Sequence, residues 1–161
     1  MKDFIDRFEV DGTRTRPGIH LGDTVGLLQI MRLAAHLERD FAASSAIKPG
    51  EFQVLAALRR RDPLPMNATE LARAAILTSG AMTAVLDRLE ERGLLRREID
   101  AEDRRARRIT ITEKGRNVIN RALDQRMAQH RVLNAALTLE ERETLSALLR
   151  KLLIAVEGEA A

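Results

Sequence analysis

Apolar residues recur every three or four positions in three long segments of the chain, which is the spacing of an amphipathic helix. The first segment covers residues 24–45 and the second covers residues 112–136. The third begins with Thr138 and Glu141, which have the spacing of a capping box, and it carries leucines along one wide face. We therefore predict three long helices, one near the amino-terminal end and two at the carboxyl-terminal end.

Shorter helical segments lie between the first two long ones, and capping residues mark their ends. Pro49 stands where the first position of a helix favours proline, and an apolar face follows it. Asn67 can cap a short helix with the interior TELARAA, and Thr78 can cap another that reaches Glu91. Gly93 suits the carboxyl-terminal cap of that helix. This order predicts a helix-turn-helix.

Two short segments that contain branched residues, LLRREI and RRITIT, come next and are separated by the charged stretch DAEDRRA. This pattern predicts two strands joined by a hairpin loop. Helices at residues 67–75 and 78–91, followed by a hairpin at 94–112, have the order of a winged helix-turn-helix, which places one helix in the major groove of DNA. We predict a mainly α fold with a small β-hairpin wing (α+β) and long N- and C-terminal dimerisation helices.

Charge and composition narrow the choice of partner. The formal net charge is only +3, yet four arginines fall within residues 104–108, on the predicted hairpin. Such a compact cation suits the negative potential of a narrow minor groove. Aromatic residues make up 2% of the chain, so stacking on single-stranded bases has little support and duplex DNA is the better partner. The absence of cysteine excludes disulfides and thiol-based sensing.

The 161 residues are enough for a single compact domain. We divide them into an arm at 1–23, a helical dimerisation region at 24–48 and 113–161, and a winged helix-turn-helix region at 49–112. Terminal helices with such wide apolar stripes usually pack on another copy of the chain, so we predict a homodimer. No apolar run is long enough to cross a membrane and no secretory leader is present, so we expect a cytoplasmic protein.

The segment LTSGAMTAVLDRLEERGLLRREIDAEDRRARRITITEKG resembles the core of the MarR family of bacterial transcriptional regulators. Within it, DRLEERGLL resembles the end of the recognition helix. The wing signature of the family is similar to a second group here, which consists of Asp100, Asp103, Arg104 and Arg105 followed by ITITEKG. IKPGEFQVLAAL and LTLEERETLSALLRKL resemble the second and last helices, so the likeness spans roughly residues 24–157. The resemblance implies a ligand-responsive repressor that binds palindromic duplex DNA as a homodimer.

Candidate DNA contacts lie on the predicted recognition helix, the helix before it and the wing. By resemblance, Arg105 is the wing-tip residue inserted into the minor groove and Asp103 orients it from behind; the alternative is a solvated charged hairpin. Thr69 could meet a phosphate or belong to a cap, and Met82 could touch a thymine methyl group or belong to the core. The full set is Thr69, Thr78, Ser79, Gly80, Ala81, Met82, Thr83, Arg88, Asp103, Arg104, Arg105 and Arg107.

The amino-terminal end of the recognition helix carries short side chains, none of which makes the bidentate contact that specifies guanine or adenine. Family members with a similar TSGAMT segment tend to continue with asparagine and arginine, whereas Ala84 and Val85 follow here. We therefore expect more specificity from DNA shape and wing contacts than from hydrogen bonds to bases.

Many MarR-like proteins bind small aromatic acids or phenols in a crevice between the dimer helices and the DNA-binding region. The polar candidates here are Arg32 and His36 on the first helix and His130 on the fifth. His36 shares its stripe with arginines, which favours simple solvation, and the placement of His130 favours a core or interface histidine. The three histidines are too scattered for a local metal pattern, and we expect no cofactor.

Two rival classes are an enzyme and a ligand-independent architectural or protein-interaction module on the same fold. No nucleophile–base motif, phosphate loop or metal motif appears, and charges such as Glu140 and Glu141 suit a helix start, so we predict that the chain is not an enzyme. An architectural module would bind any duplex with similar affinity, whereas a regulator favours a palindromic site by orders of magnitude.

Overall fold

The computed structural model describes residues 22–99 and 107–158, which form six helices and one two-stranded hairpin. The helices are α1 (Gly22–Ser44), α2 (Pro49–Arg61), α3 (Ala68–Ala75), α4 (Ser79–Glu91), α5 (Glu113–Asn134) and α6 (Leu139–Gly158). The antiparallel strands are β1 (Leu95–Ile99) and β2 (Arg107–Ile111). The predicted fold class, mainly helical with a hairpin wing after a helix-turn-helix, is confirmed. Most of the predicted arm lies outside the described residues.

The chain divides into two compact units, Met1–Pro49 and Gly50–Ala161. In the first unit, α1 is the long helix that the apolar spacing predicts. Many of its large apolar side chains are exposed, among them Leu27, Ile30, Met31 and Leu33. This helix therefore presents an apolar surface in the single chain.

The core of the second unit draws on α2, α3, α4, the hairpin and the first half of α5. Its most deeply buried side chains are Leu55, Leu58, Leu71, Leu89, Leu94, Ile109 and Ile119. The segment before α3 also pairs with the wing, because Met66 N–H donates to Ile109 O (3.0 Å) and Ile109 N–H donates to Met66 O (2.8 Å). The helix-turn-helix and the base of the wing therefore share one core.

Helix α4 ends at the glycine that the sequence predicts. Gly93 has φ of +68°, the left-handed conformation that glycine adopts without steric cost. Its N–H donates to Glu90 O and the next N–H, of Leu94, donates to Leu89 O, both at 2.8 Å. This pair of bonds is a Schellman motif, and it turns the chain directly into β1.

The TEKG segment after β2 fastens the start of α5 to this turn. Thr112 Oγ1 accepts the Gly115 N–H (3.0 Å), which makes Thr112 the cap of α5, and it also donates to Gly93 O (2.8 Å). Lys114 Nζ donates to Arg92 O at 2.8 Å. Side chains at the start of α5 thus satisfy backbone carbonyls at the end of α4.

Gly115 is glycine because the backbone of Leu94 lies against it. A Cβ atom at this position would sit far inside van der Waals distance of Leu94 O and 2.8 Å from Ile111 Cγ1. The φ of Gly115 is not the reason, since the residue lies within a regular helix. Only a residue without a side chain permits this close approach.

Helix α6 begins with the predicted capping box, in which Glu141 N–H donates to Thr138 Oγ1 (3.2 Å) and Thr138 N–H donates to Glu141 Oε2 (2.7 Å). The bond from the Thr138 N–H holds the pKa of the Glu141 carboxyl below its ordinary value. None of the residues of α6 is buried, although it carries Leu145, Leu148, Leu152, Leu153, Ile154 and Val156. Among the described helices, none has the length and apolarity required to cross a membrane.

Candidate nucleic-acid interface

The first helix of the helix-turn-helix starts with a complete capping box. Glu70 N–H donates to Asn67 Oδ1 (2.9 Å), and Asn67 N–H donates to Glu70 Oε2 (2.8 Å). Asn67 is thus the cap that the sequence predicts. Thr69 is exposed and takes no part in these two bonds, so its hydroxyl lies at the surface beside the helix amino terminus. A phosphate contact by Thr69 stays a prediction.

The turn between the two helices is made by Ile76, which has φ of +53° in the left-handed region. For a β-branched residue this conformation is unusual and costs free energy. Leu77 N–H donates to Ala72 O (3.0 Å), which closes the turn, and the Ile76 side chain is 87% exposed. A tight turn therefore places an apolar side chain in solvent immediately before the recognition helix.

The amino-terminal turn of α4 alternates between surface and core. Thr78 caps the helix by accepting the Ala81 N–H (3.4 Å), and Thr83 Oγ1 donates to Ser79 O (3.2 Å). The exposed members of the candidate set here are Thr78, Ser79, Gly80, Ala81 and Thr83.

Met82 corrects one of the predicted DNA contacts. Its side chain is only 2% exposed and belongs to the core, together with Val85. The thymine contact expected of Met82 is therefore wrong for this conformation. The reason is helical geometry, because positions 82, 85, 86 and 89 fall on the one face of α4 that packs inward.

Glu51 is an interaction partner of α4 that the sequence analysis missed. Within the described ranges it is the only charged residue that is buried, with 2% exposure. Its carboxylate pairs with Arg88 Nε of α4 (3.3 Å) and with Nη1 of Arg92, the C-cap residue of α4 (2.9 Å). Two cations and the first turn of α2 together compensate the buried charge. DNA contact by Arg88 stays a prediction; its Nε is engaged in the protein.

Arg97 joins the wing to the recognition helix. Its side chain donates to Glu90 Oε2 and to Asp87 Oδ1, each at 2.7 Å, and its backbone N–H donates to Glu90 Oε1 (3.1 Å). The Arg97 hydrogen bond holds the pKa of the Glu90 carboxyl below its usual value. Because β1 and α4 are clamped in this way, the wing base has a fixed position relative to the recognition helix.

Only the base of the wing is described. In the β1–β2 register, Arg107 pairs with Ile99 at the end nearest the hairpin loop, and its side chain is exposed. Asp103, Arg104 and Arg105 lie outside the described residues. Their predicted roles at the wing tip therefore remain predictions from the sequence.

A second arginine–carboxylate pair lies behind the helix-turn-helix. Arg116 of α5 donates from Nε to Asp62 Oδ2 (2.7 Å) and from Nη2 to Asp62 Oδ1 (2.8 Å), which is a bidentate pair. This hydrogen bonding lowers the pKa of Asp62 below its ordinary value. The pair ties α5 to the segment that leads from α2 to α3.

The predicted effector contacts fall on different helices. Arg32 and His36 are exposed on α1, and Arg39 Nη2 donates to His36 Nδ1 at 2.6 Å. His130 is half-buried on α5. Within the described residues, no group of three or more histidine, aspartate or glutamate side chains is arranged to hold a metal ion.

Comparison with known proteins supports the class that this geometry defines, a winged helix-turn-helix DNA-binding protein. The family model for the MarR family matches residues 47–106. The HTH-type transcriptional regulator MhqR of Bacillus subtilis (strain 168) is 31% identical over 105 residues, which are 65% of this chain and 71% of MhqR. The chain belongs to the MarR family of transcriptional regulators.

Two further relatives are similar over different extents. The HTH-type transcriptional regulator PecS of Dickeya dadantii (strain 3937) is 36% identical over 100 residues, so the match spans 62% of this chain and 60% of PecS. A solved structure of the transcriptional repressor CouR bound to a 23-mer DNA duplex is also similar to this chain. The sequence identity is 28% and the TM-score is 0.70, and the match covers 83% of this chain and 97% of CouR. These proteins are transcriptional regulators rather than enzymes.

Proposed function

We propose that this chain is a repressor that binds a palindromic site in duplex DNA as a homodimer and responds to a small effector. The observation that carries the DNA contact is the surface of α4, where short hydroxyl and small side chains are exposed between Thr78 and Thr83. The helix is held by the Glu51 ion pairs and by its own cap, so this surface is preorganised for a groove. The DNA-bound CouR structure supports the same use of the fold.

The proposed division of labour follows the domain boundaries expected from the sequence. Residues 49–112 bind DNA, and residues 24–48 and 113–161 form the dimer. An unburied α6 with leucines along one face supports this, because monomeric soluble proteins rarely expose a large contiguous apolar surface. A two-fold dimer would present two copies of α4 to half-sites about one helical turn, roughly 10 bp, apart.

The test of DNA binding is selection of duplexes from a random library, followed by footprinting of the selected site. We expect a symmetric footprint and an affinity for the selected duplex at least about 1,000-fold above that for a scrambled duplex. Equal affinity for both duplexes would identify a ligand-independent architectural module instead. Protection of one short asymmetric site would contradict the symmetric dimer.

The proposed effector is a small aromatic acid or phenol, and Arg32, His36 and His130 are the candidate contacts. Each of these side chains can by itself supply a charge or a hydrogen bond to a carboxylate or a phenol. Addition of a panel of such compounds should release the selected duplex in a concentration-dependent way. Arg32→Ala should abolish this release without changing affinity in the absence of compound; unchanged release would remove Arg32 from the site.

A further inference from the structure

A cleft lined by arginines lies where the end of α2, the start of α3 and the base of the wing come together. Its volume is about 240 Å³, and its charged and polar lining includes Arg61, Asn67, Glu70, Arg107 and Arg108. We call this the arginine cleft. Arg61 and Arg108 are absent from the set of DNA contacts that the sequence suggests.

The arginine cleft has a fixed floor. Met66, which also lines it, exchanges two backbone hydrogen bonds with Ile109 of β2, at 3.0 and 2.8 Å. Asn67 and Glu70, which also line the cleft, exchange the reciprocal bonds of the α3 capping box. Because these parts of the lining are held by hydrogen bonds within the protein, the cleft exists before any ligand arrives.

The charge of the arginine cleft favours an anion. Three guanidinium groups line it against one carboxylate, that of Glu70. Glu70 Oε2 accepts the Asn67 N–H within the capping box, so part of the charge of this carboxylate is already committed to the helix start. A guanidinium pairs with two phosphate oxygens at once, which makes arginine the preferred side chain for phosphate. The volume would hold about eight water molecules at roughly 30 Å³ each, enough for a phosphate group and part of its hydration.

We infer that the arginine cleft binds one backbone phosphate of the DNA duplex, with Arg61 and Arg108 as the contacting residues. This rests on the proposed function. The DNA backbone is favoured over a free phosphate compound because the cleft shares Arg107 with the predicted wing contacts and lies beside Thr69 at the start of α3. A phosphate held there would fix the register of the protein on DNA without reading sequence.

The test compares Arg61→Ala and Arg108→Ala with the control Arg60→Ala. Arg60 lies in the last turn of α2 together with Arg61 and carries the same charge, but it does not line the cleft. Fluorescence anisotropy is measured over a salt series with the selected and the scrambled duplex. Each cleft variant should weaken both duplexes by a similar factor, about five- to tenfold. It should also reduce the slope of log affinity against log salt concentration by about 0.9 for each phosphate that the protein no longer neutralises. Arg61→Lys should recover part of the slope, and thermal melting should show that all variants are folded.

The outcomes separate the phosphate assignment from the proposed function. If Arg61→Ala and Arg108→Ala behave like Arg60→Ala, or weaken only the selected duplex, the phosphate assignment is wrong while DNA binding stands. If the parent protein binds neither duplex, the proposed function itself has failed. In a second arm, inorganic phosphate is titrated at constant ionic strength. Phosphate binding that is lost in Arg61→Ala, while the affinity of that variant for both duplexes is unchanged, would mark a site for free phosphate and overturn the assignment to the backbone.

Discussion

Helices α4 and α6 contain comparable apolar stripes but differ in what covers them. In α4, Met82, Val85, Leu86 and Leu89 are all buried in the core of their own chain. In α6, every residue is at least partly exposed, including a row of leucines. Periodicity alone therefore indicates an apolar face and does not identify what covers it. The described residues complete the core around α4, whereas none of them buries a residue of α6.

The largest effect should come from Gly115→Ala, which adds a methyl group where α5 packs closely against the core of the second unit. A methyl group here meets the Leu94 carbonyl and Ile111, and helix backbone has to move to admit it. We expect a loss of about 3 kcal/mol or more in the free energy of unfolding, the upper end for overpacking. Urea denaturation at one protein concentration measures it.

The matched control is Gly26→Ala in α1, where an added Cβ meets nothing within 4 Å. This change should stabilise by about 0.5–1 kcal/mol, because alanine is the better helix former. Equal effects of the two substitutions would show that the backbone of Leu94 does not pack closely against Gly115.

The next effect tests the uncovered helix. Leu148→Glu puts a charge on the leucine face of α6, whereas Ala147→Glu puts the same charge on the side of the helix opposite the centre of that face. If the leucine face is a dimer interface, Leu148→Glu should weaken dimerisation at least about 100-fold, which is roughly 2.7 kcal/mol, while Ala147→Glu has little effect. Light scattering over a dilution series measures both. A parent protein that is monomeric at micromolar concentration would refute the dimer.

A smaller effect is expected at the wing tip. Arg105→Ala should cost about 1–3 kcal/mol of binding to the selected duplex, the usual cost of removing a side chain from a groove, whereas Arg60→Ala removes an equal charge with less effect. Asp103→Ala should copy part of the defect, because it removes the carboxylate that we propose orients Arg105. Removal of an acid strengthens DNA binding if only long-range charge matters, so tighter binding by Asp103→Ala would refute the orienting role.

The smallest effect is a dependence of stability on acid. The carboxyl groups of Asp62 and Glu90 have pKa values below their ordinary ones because Arg116 and Arg97 donate hydrogen bonds to them. Their contribution to the free energy of unfolding is present at pH values above the ordinary pKa, about 4, and is lost as the pH falls through the lowered pKa. Thermal melting between pH 6 and pH 3 should therefore show a melting temperature that falls at the acid end of this range. Asp62→Asn should flatten that slope; an unchanged slope would show that the Arg116 pair contributes nothing.

The boundaries of the described elements followed from local chemistry. Asn67, Thr78, Thr112 and Thr138 each mark a helix start by a side chain that accepts a nearby backbone N–H, and these signals lie within four residues in the sequence. Gly93 marks a helix end in the same local way. For this reason the helices were predictable from spacing and capping residues, and the two strands from segments with branched residues on either side of a charged stretch. The left-handed turn at Ile76 was not predicted.

Contacts between distant residues were not predictable in this way. Glu51 stands 37 and 41 positions before Arg88 and Arg92, and an acidic residue in a first helical turn is ordinarily an exposed one. Likewise, Arg61 and Arg108 are distant in sequence but line one cleft, at the place where Met66 pairs with Ile109 of β2. Met82 was open to two interpretations, and only the inward face of α4 decided between them.

The alternation at the start of α4 has a consequence for engineering. The outward positions from Ser79 to Ala84 lie in solvent, while Met82 and Val85 anchor the same turn in the core. Under the proposed DNA contact by these outward positions, sequence preference and folding stability depend on separate side chains within a single turn. A library that varies only the outward positions and keeps the two anchors should yield folded variants with new operator preferences. The turn would then serve as an exchangeable cassette on an unchanged scaffold.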